Sequence, residues 1–302
     1  MILVTGAEGL IGRHICAVMK AAGVDYRPFD IRRSSFEDVR NSEAVTAALK
    51  GVRGIIHLAA VSRVAWGERD PGLCEAVNVR ALQGLLGACL EGHRPWVVFA
   101  SSREVYGQPH SMPVREDAPR QAMNHYARSK HRGELLVEAA AQAGLRANIC
   151  RFSSVYGCPH DHVDRVAMAF ALAAAGRSDR IFIEGAGNTF DFTSVREVAD
   201  GLWRLVQATD SGESLPPIHL VSGRGTTLGE LAQMAADAAV RDFVMQDAAP
   251  RSYDVSRFIG DPSRAFSLIG WAARSDLKVE FARLVDDLRL AAPAPRAMSL
   301  SQ

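Results

Sequence analysis

The sequence predicts an α/β protein: a doubly wound parallel sheet with helices on both faces, joined to a smaller, interleaved C-terminal α/β part. Three observations predict it. Short apolar runs alternate with amphipathic stretches of helix length through the first half, a glycine-rich turn ends the first apolar run, and the rhythm changes beyond about residue 153.

The elements follow in order. Ile2 to Thr5 reads as the first strand and Leu10 to Ala22 as the first helix, stopped by Gly23. Next come a strand over Asp25 to Asp30, a helix over Ser42 to Lys50 and a strand over Gly54 to Ala59. A long helix covers Leu73 to Glu91, and the run from Trp96 to Ser101 reads as a buried strand. A helix from Tyr126 to Ala143 and a strand from Arg146 to Phe152 close this half. Beyond it lie an alanine-rich helix, Val163 to Gly176, a strand at Ile181 to Glu184 and a helix at Val195 to Thr209. From Pro216 onward we expect one strand, about two helices and a frayed Pro/Ala-rich tail over 291–302. The expected division is a first domain of residues 1–153, to which about 188–215 return, and a second part made of 154–187 and 216–290.

Bulk properties narrow the partners. The chain has 302 residues, 48% hydrophobic and 23% charged, enough for an ample core and outside the composition of disordered proteins. A net charge of +1 gives no field to gather nucleic acid or an anionic membrane, so a small molecule is the expected partner. Cys16, Cys74, Cys89, Cys150 and Cys158 are odd in number and lack paired spacing, which predicts reduced thiols. The chain opens directly on strand-like Met1-Ile2-Leu3-Val4, and no uncharged apolar stretch reaches membrane-spanning length. These features predict a cytoplasmic protein.

After the first strand comes Gly6-Ala7-Glu8-Gly9-Leu10-Ile11-Gly12. Glycines at such a junction allow a tight turn and let a diphosphate approach backbone N–H groups at a helix N-terminus. Asp30 lies 24 residues after Gly6, at the end of the second strand, where a carboxylate accepts hydrogen bonds from ribose hydroxyls and repels a 2′-phosphate. The pair predicts NAD as cofactor, while Arg32 and Arg33 leave NADP open.

A buried strand ending in Ser101-Ser102 and the pair Tyr126/Lys130, four apart on one helical face, supply the chemistry. Nearby positive charge favours a phenolate, so Lys130 and an oxidised nicotinamide are expected to lower the Tyr126 pKa towards working pH and make it a general base. Ser102, at the carboxyl end of a parallel strand, is placed to hydrogen-bond the same substrate oxygen.

With these motifs on view, the sequence resembles the extended short-chain dehydrogenase/reductases, in their NAD-dependent nucleotide-sugar epimerase/dehydratase branch, from residue 1 to about 270. The resemblance implies a Rossmann-like fold and an enzyme, with Ser102, Tyr126 and Lys130 catalytic. It also implies cofactor contacts at Ile31, Asp38, Val39, Leu58, Ala59, Ala60, Asn78, Ala100, Ser101, Phe152 and Ser153, and substrate contacts at Ser62, Ser102, Ser154, Phe190, Arg251 and Asp254. It implies a homodimer built on the two long helices, for which the stripe Leu82, Leu85, Leu86, Cys89 with Leu135, Leu136 and Ala139 is available, unless that stripe covers the sheet.

The neighbours of the trio divide the possible reactions. The resemblance makes Glu104 the residue that removes a C5 proton in 4,6-dehydratases, yet Arg103 stands where several of those have an acid, and arginine is a poor proton donor. Ser154 replaces an asparagine, and Phe190 a diphosphate-binding arginine, of the family pattern; Arg251 and Asp254 match it. The resemblance thus implies first an epimerase acting on a nucleotide-linked sugar through a transient keto intermediate, with a 4,6-dehydratase using Glu104, or a keto-sugar reductase on a substrate without a diphosphate, as alternatives. A non-catalytic dinucleotide sensor is the remaining alternative. The loop Cys158-Pro159-His160-Asp161-His162-Val163-Asp164 has metal-like composition, but ligands crowded on one loop predict no metal.

Overall fold

The computed structural model describes residues 1–291. The first unit runs β1 (Ile2–Thr5), α1 (Leu10–Ala21), β2 (Tyr26–Phe29), α2 (Ser42–Leu49) and β3 (Gly54–His57). It continues with α3 (Val64–Arg69), α4 (Pro71–Glu75), a π turn (Ala76–Arg80), α5 (Ala81–Glu91) and β4 (Trp96–Ser102). After α6 (His125–Gln142) come β5 (Ala147–Phe152), β6 (Ser154–Tyr156), α7 (Val166–Ala174), β7 (Arg180–Glu184), β8 (Thr189–Ser194) and α8 (Val195–Asp210). The last stretch is β9 (Ile218–Leu220), β10 (Gly225–Thr227), α9 (Leu228–Asp237), β11 (Val244–Ala248), β12 (Arg257–Phe258), α10 (Ser263–Ile269) and α11 (Leu277–Leu290).

Six strands form one parallel sheet in the order β2-β1-β3-β4-β5-β9. This is the doubly wound sheet the sequence predicts. Its order reverses between β1 and β3, which opens a crevice at their carboxyl ends. On one face α1 and α8 cover Ile2, Val4, Ile56 and Val98, while α2, α5 and α6 cover Leu3, Ile55, Val97 and Phe99 on the other. Central strands sandwiched in this way are buried along their whole length, as β4 is. A smaller sheet, β10-β8-β12 with β6 on β8, and the ribbon β11-β7 complete the second part, whose core gathers around Phe170, Phe192, Leu231 and Leu284.

Several expectations need correction. The helix expected over Leu73 to Glu91 is one rod from Pro71 to Glu91 with a widened turn at Ala76–Arg80, sited where Asn78 turns inward to bond Val61 and Ser129. By length and composition that rod is apolar enough to cross a bilayer, but Leu82, Leu85, Leu86 and Cys89 are buried against its own sheet. The stripe offered for dimerisation is thus a sheet cover; Leu135 alone of its large side chains is well exposed. The helix expected from Val163 begins at Val166, because residues before it are tied across the cleft.

The expected return of 188–215 to the large sheet divides differently. Thr189–Ser194 belongs to the small sheet, where Phe190 and Phe192 fill the second core, and α8 packs on α1. Ile218–Leu220 then extends the large sheet although it lies past residue 216. Four strands and three helices occupy the stretch after Pro216, more than the single strand and two helices expected. The short strands there are of two to five residues, too brief to carry a readable alternation. The frayed tail expected over 291–302 lies, from residue 292, outside the described residues.

Candidate active site

A cavity of about 1030 Å³ runs from the β1–α1 turn, across the carboxyl ends of β3 and β4, to β7 and the loop before β12. Its first wall is the glycine turn. Gly6 has φ +71, and a Cβ there would sit 2.7 Å from Ala59 N; one on Gly12 would lie 2.1 Å from Gly6 O. Both positions exclude any side chain, and the α1 N-terminus has no side-chain cap, so its N–H groups face the cavity beside Gly9, Leu10 and Ile11.

At the end of β2 the buried Asp30 is oriented by its surroundings: Glu8 N donates to Oδ2 and Arg32 N to Oδ1, each at 2.9 Å. Arg32 donates to Glu8 O at 2.9 Å and lies 3.3 Å from His162 Nε2, and Arg33 pairs with Glu8 and Glu37. Both arginines therefore have partners already. Ile31, Asp38, Val39, Leu58, Ala59, Ala60 and Ser62 also line this end, where the Arg40 guanidinium hydrogen-bonded to Asp38 holds its carboxyl below the usual range. Two backbone positions cleared of side chains, a free helix N-terminus and an oriented carboxylate fit a dinucleotide's diphosphate and ribose.

Asn78 does not reach the cavity. Its Oδ1 accepts from Val61 N at 2.8 Å and its Nδ2 donates to Val61 O and Ser129 Oγ, so it fixes the β3–α3 loop from behind. The cofactor contact expected of it is corrected to a positioning one.

The centre of the cavity holds the trio. Ser102 ends β4, Tyr126 opens α6, and Asn124 caps that helix by accepting from Ala127 N at 2.7 Å. Lys130 Nζ donates to Ala100 O at 2.8 Å and lies 6.0 Å from the Tyr126 ring centre. Burial drives Lys130 down to about 8. Burial also lifts Tyr126 to about 12; the Ser102 hydrogen bond pulls it down, Glu104 pushes it up and Arg165 pulls it down. In the protein alone desolvation outweighs every nearby charge at the phenol.

Around the trio, Ser101 and Ser153 line the cavity with their hydroxyls engaged elsewhere, on Glu134 Oε1 and Asp191 O, both at 2.5 Å. Phe152, Ser154 and Phe190 line it as well. Glu104 is buried, paired with Arg103 Nη2 at 2.9 Å and accepting from Asn124 Nδ2 at 3.1 Å. At the far end Arg251 Nε meets Asp254 at 2.7 Å and Glu184 at 3.2 Å.

The segment 158–165 crosses the mouth. Arg63 donates to Asp164 Oδ1 at 2.9 Å and to Asp164 O at 2.8 Å, and Trp66 meets the His162 ring edge-on at 4.6 Å. Among the described residues no three His, Cys, Asp or Glu side chains converge as metal ligands. Sequence reasoning missed Arg63, Trp66 and Arg165, because a pairing across 101 residues leaves no local signal. The composition of the 158–164 loop was the one available hint.

Comparison with known proteins agrees with this geometry. Residues 2–220 match the model of the "NAD dependent epimerase/dehydratase family". A UDP-glucose 4-epimerase of Rhizobium meliloti (strain 1021) is 28% identical over 308 residues, covering 91% of this chain and 93% of that one. MoeE5 in complex with UDP-glucose and NAD superposes with a TM-score of 0.86 at 27% identity, over 94% of this chain and 97% of that one; it is also known in complex with UDP-glucuronic acid and NAD. The UDP-glucose 4-epimerase of Thermus thermophilus, in complex with NAD, gives 0.85 at 27% identity, over 96% and 99% of the two chains.

Proposed function

Because the chain belongs to the NAD-dependent epimerase/dehydratase family, whose model it matches over most of its length, we propose that it inverts a carbinol centre of a UDP-linked sugar through a transient ketone. It is an NAD-dependent enzyme of that family. Bound NAD supplies the hydride acceptor for oxidation of the carbinol and the donor that returns the hydride to the other face of the ketone. Tyr126 takes the hydroxyl proton in the first half and gives it back in the second, so neither proton nor oxidant is consumed overall.

A phenol raised to about 12 is a ready proton donor for the return half. In the forward half the Ser102 hydrogen bond and the positive field of Arg165 favour its loss of a proton. Lys130, anchored on Ala100 O, keeps a cation beside the phenol. The observation that carries the reading is the meeting of Ser102, Tyr126 and Lys130 in the same cavity as the side-chain-free glycine turn and Asp30. The pairing of Glu104 with Arg103 and Asn124 favours epimerisation over 4,6-elimination, since a base for C5 needs a free carboxylate.

The test is direct. Purified protein with NAD is given UDP-glucose, UDP-galactose or the corresponding UDP-uronates, and the epimer is followed by chromatography. Interconversion without accumulation of reduced cofactor is expected; failure with every UDP-sugar pair overturns the reading. The relatives' substrates also support a nucleotide sugar as ligand here. Five free, buried cysteines support a reducing, cytoplasmic setting. We place a homodimer contact on the outer faces of α5 and α6, where Leu135 is exposed; a monomeric mass by light scattering refutes it.

A further inference from the structure

The short helix α3 touches the segment across the mouth and also the first turn of α6. Its first turn hangs on Arg63, whose carbonyl accepts from Trp66 N at 3.2 Å and from Gly67 N at 3.0 Å. A shift of Arg63 is therefore carried to Gly67. Toward the mouth, Arg63 donates to Asp164 Oδ1 at 2.9 Å and to Asp164 O at 2.8 Å, and Trp66 meets His162 edge-on, ring centres 4.6 Å apart. His162 Nε2 also lies 3.3 Å from Nη2 of Arg32, two residues after Asp30. The 158–165 segment is thus fastened to both loops that line the cofactor end.

Toward α6 the contacts reach the backbone that carries the phenol. Gly67 is buried, and a Cβ there would lie 3.1 Å from Tyr126 N and 3.2 Å from Tyr126 Cβ. α3 comes this close to Tyr126 because only hydrogen stands between them. Glu68 Oε1 accepts from His125 N at 2.7 Å, one of the N–H groups in the first turn that a helix cannot satisfy internally. A carboxylate at that end is also favoured by the helix dipole. Both Gly67 and Glu68 lie outside the lining of the cavity, so their influence on the site passes through α3 and α6.

We propose that Gly67 and Glu68 are positioning residues for Tyr126, and that α3 couples them to the 158–165 segment, so that the phenol is set for proton transfer when that segment is docked over the cofactor. Proton transfer by the phenol rests on the epimerase reading; the coupling does not. Coupling between two sites is reciprocal. Removing the Glu68 bond at α6 should therefore loosen the docked segment as well, although Glu68 is outside the cavity.

The experiment is a double-mutant cycle of Glu68→Ala and His162→Ala on the NAD-loaded protein, read by stopped-flow NAD dissociation and by turnover of the UDP-glucose/UDP-galactose pair. Glu68→Ala is expected to speed NAD dissociation by ~2-fold or more, and the two substitutions to depart from additivity by a similar factor. In Glu68→Ala and Gly67→Ala kcat should fall ~10-fold or more with KM little changed, since a misplaced reacting group costs rate. Glu68→Gln keeps the acceptor oxygen and should restore most of that loss. Thermal melting separates misplacement from unfolding, and Glu68→Asp, with its shorter reach, takes the place of Glu68→Ala if the latter does not fold. Additive effects on NAD dissociation overturn the coupling. An unchanged kcat in Glu68→Ala, or a loss confined to KM, overturns the positioning role. Non-additive NAD release in a protein that turns over no UDP-sugar would uphold the coupling and count instead against the epimerase reading.

Discussion

Two polar clusters share β4, α6 and β5 and differ in how completely their groups are matched. In the first, Glu134 accepts from Arg151 Nε and Nη2 at 2.7 Å each, from Ser101 Oγ at 2.5 Å and from Arg120 Nη1 at 2.9 Å. Arg151 Nη1 also reaches Tyr106 Oη at 2.5 Å and Glu116 O at 2.7 Å, and Tyr106 Oη meets His219 Nε2 at 2.6 Å. Burial opposes the Glu134 charge, yet the Arg151 hydrogen bonds and charge bring its carboxyl below the usual range. In the second cluster, one residue along β4 and one turn back along α6, Ser102, Tyr126 and Lys130 face the cavity. There burial pushes the phenol up and the ammonium down.

The difference separates clamp from workplace. Buried charges that are fully matched fix the strand ends; buried groups held in costly states beside a cavity are the mark of a functional site. The clamp is what holds Ser102 and Lys130 still, since Ser101 and Glu134 are their neighbours in strand and helix.

Substitutions on the two sides should therefore part company. The largest effect is expected at Tyr126→Phe, with turnover falling ~10²–10⁴-fold and the chemical-denaturation midpoint little moved; activity within tenfold of wild type would break the assignment. On the other side, Glu134→Ala leaves Arg151 as an uncompensated buried charge and should lose about 3–5 kcal/mol of stability by denaturant titration. A loss below about 1 kcal/mol would show that the network is no clamp.

Lys130→Met sharpens the comparison because activity and stability should move oppositely. The folded Lys130 titrates near 8 against 10.5 for an ordinary lysine. Below about 8 both folded and unfolded chains carry the proton, and the burial penalty is present in full. As pH rises from about 8 to 10.5 the folded form loses its proton first and the penalty fades. Lys130→Met should then be inactive yet more stable than wild type by about 1–3 kcal/mol at pH 7, the lost bond to Ala100 O offsetting part of the gain. That advantage should vanish by pH 10.5. A constant difference across pH would show that the ammonium is not desolvated.

The smallest effect is expected at the rim. Arg63→Ala opens a partly exposed pair with Asp164, worth below about 1 kcal/mol, and should speed NAD dissociation by only a few-fold in stopped-flow fluorescence. No change in that rate would remove the 158–165 segment from any part in holding the cofactor.

Much of the site was legible because its signals are local. Gly6, Gly9 and Gly12 sit within one turn, Tyr126 and Lys130 one helical turn apart, Ser102 ends β4 and Asp30 directly follows β2. Asn78 was misplaced because the sequence placed it on the long helix but gave no account of the widened turn that aims its side chain at Val61. The return of Ile218–Leu220 to the large sheet was hidden for a similar reason: three residues carry no period, and only the open edge of β5 selects them.

By itself the sequence determined the fold class and the cofactor and singled out Ser102, Tyr126 and Lys130, which line one cavity, since each depends on backbone freedom, hydrophobic period or spacing within one element. What only the tertiary structure decided is how those groups are charged and what completes them. The pKa values of Tyr126 and Lys130, the bond from Asn124 to Glu104 and the stacking of Arg103 on Phe190 arise from burial and from contacts between distant segments. Desolvation and long-range pairing are properties of the packed chain, and no local pattern encodes them.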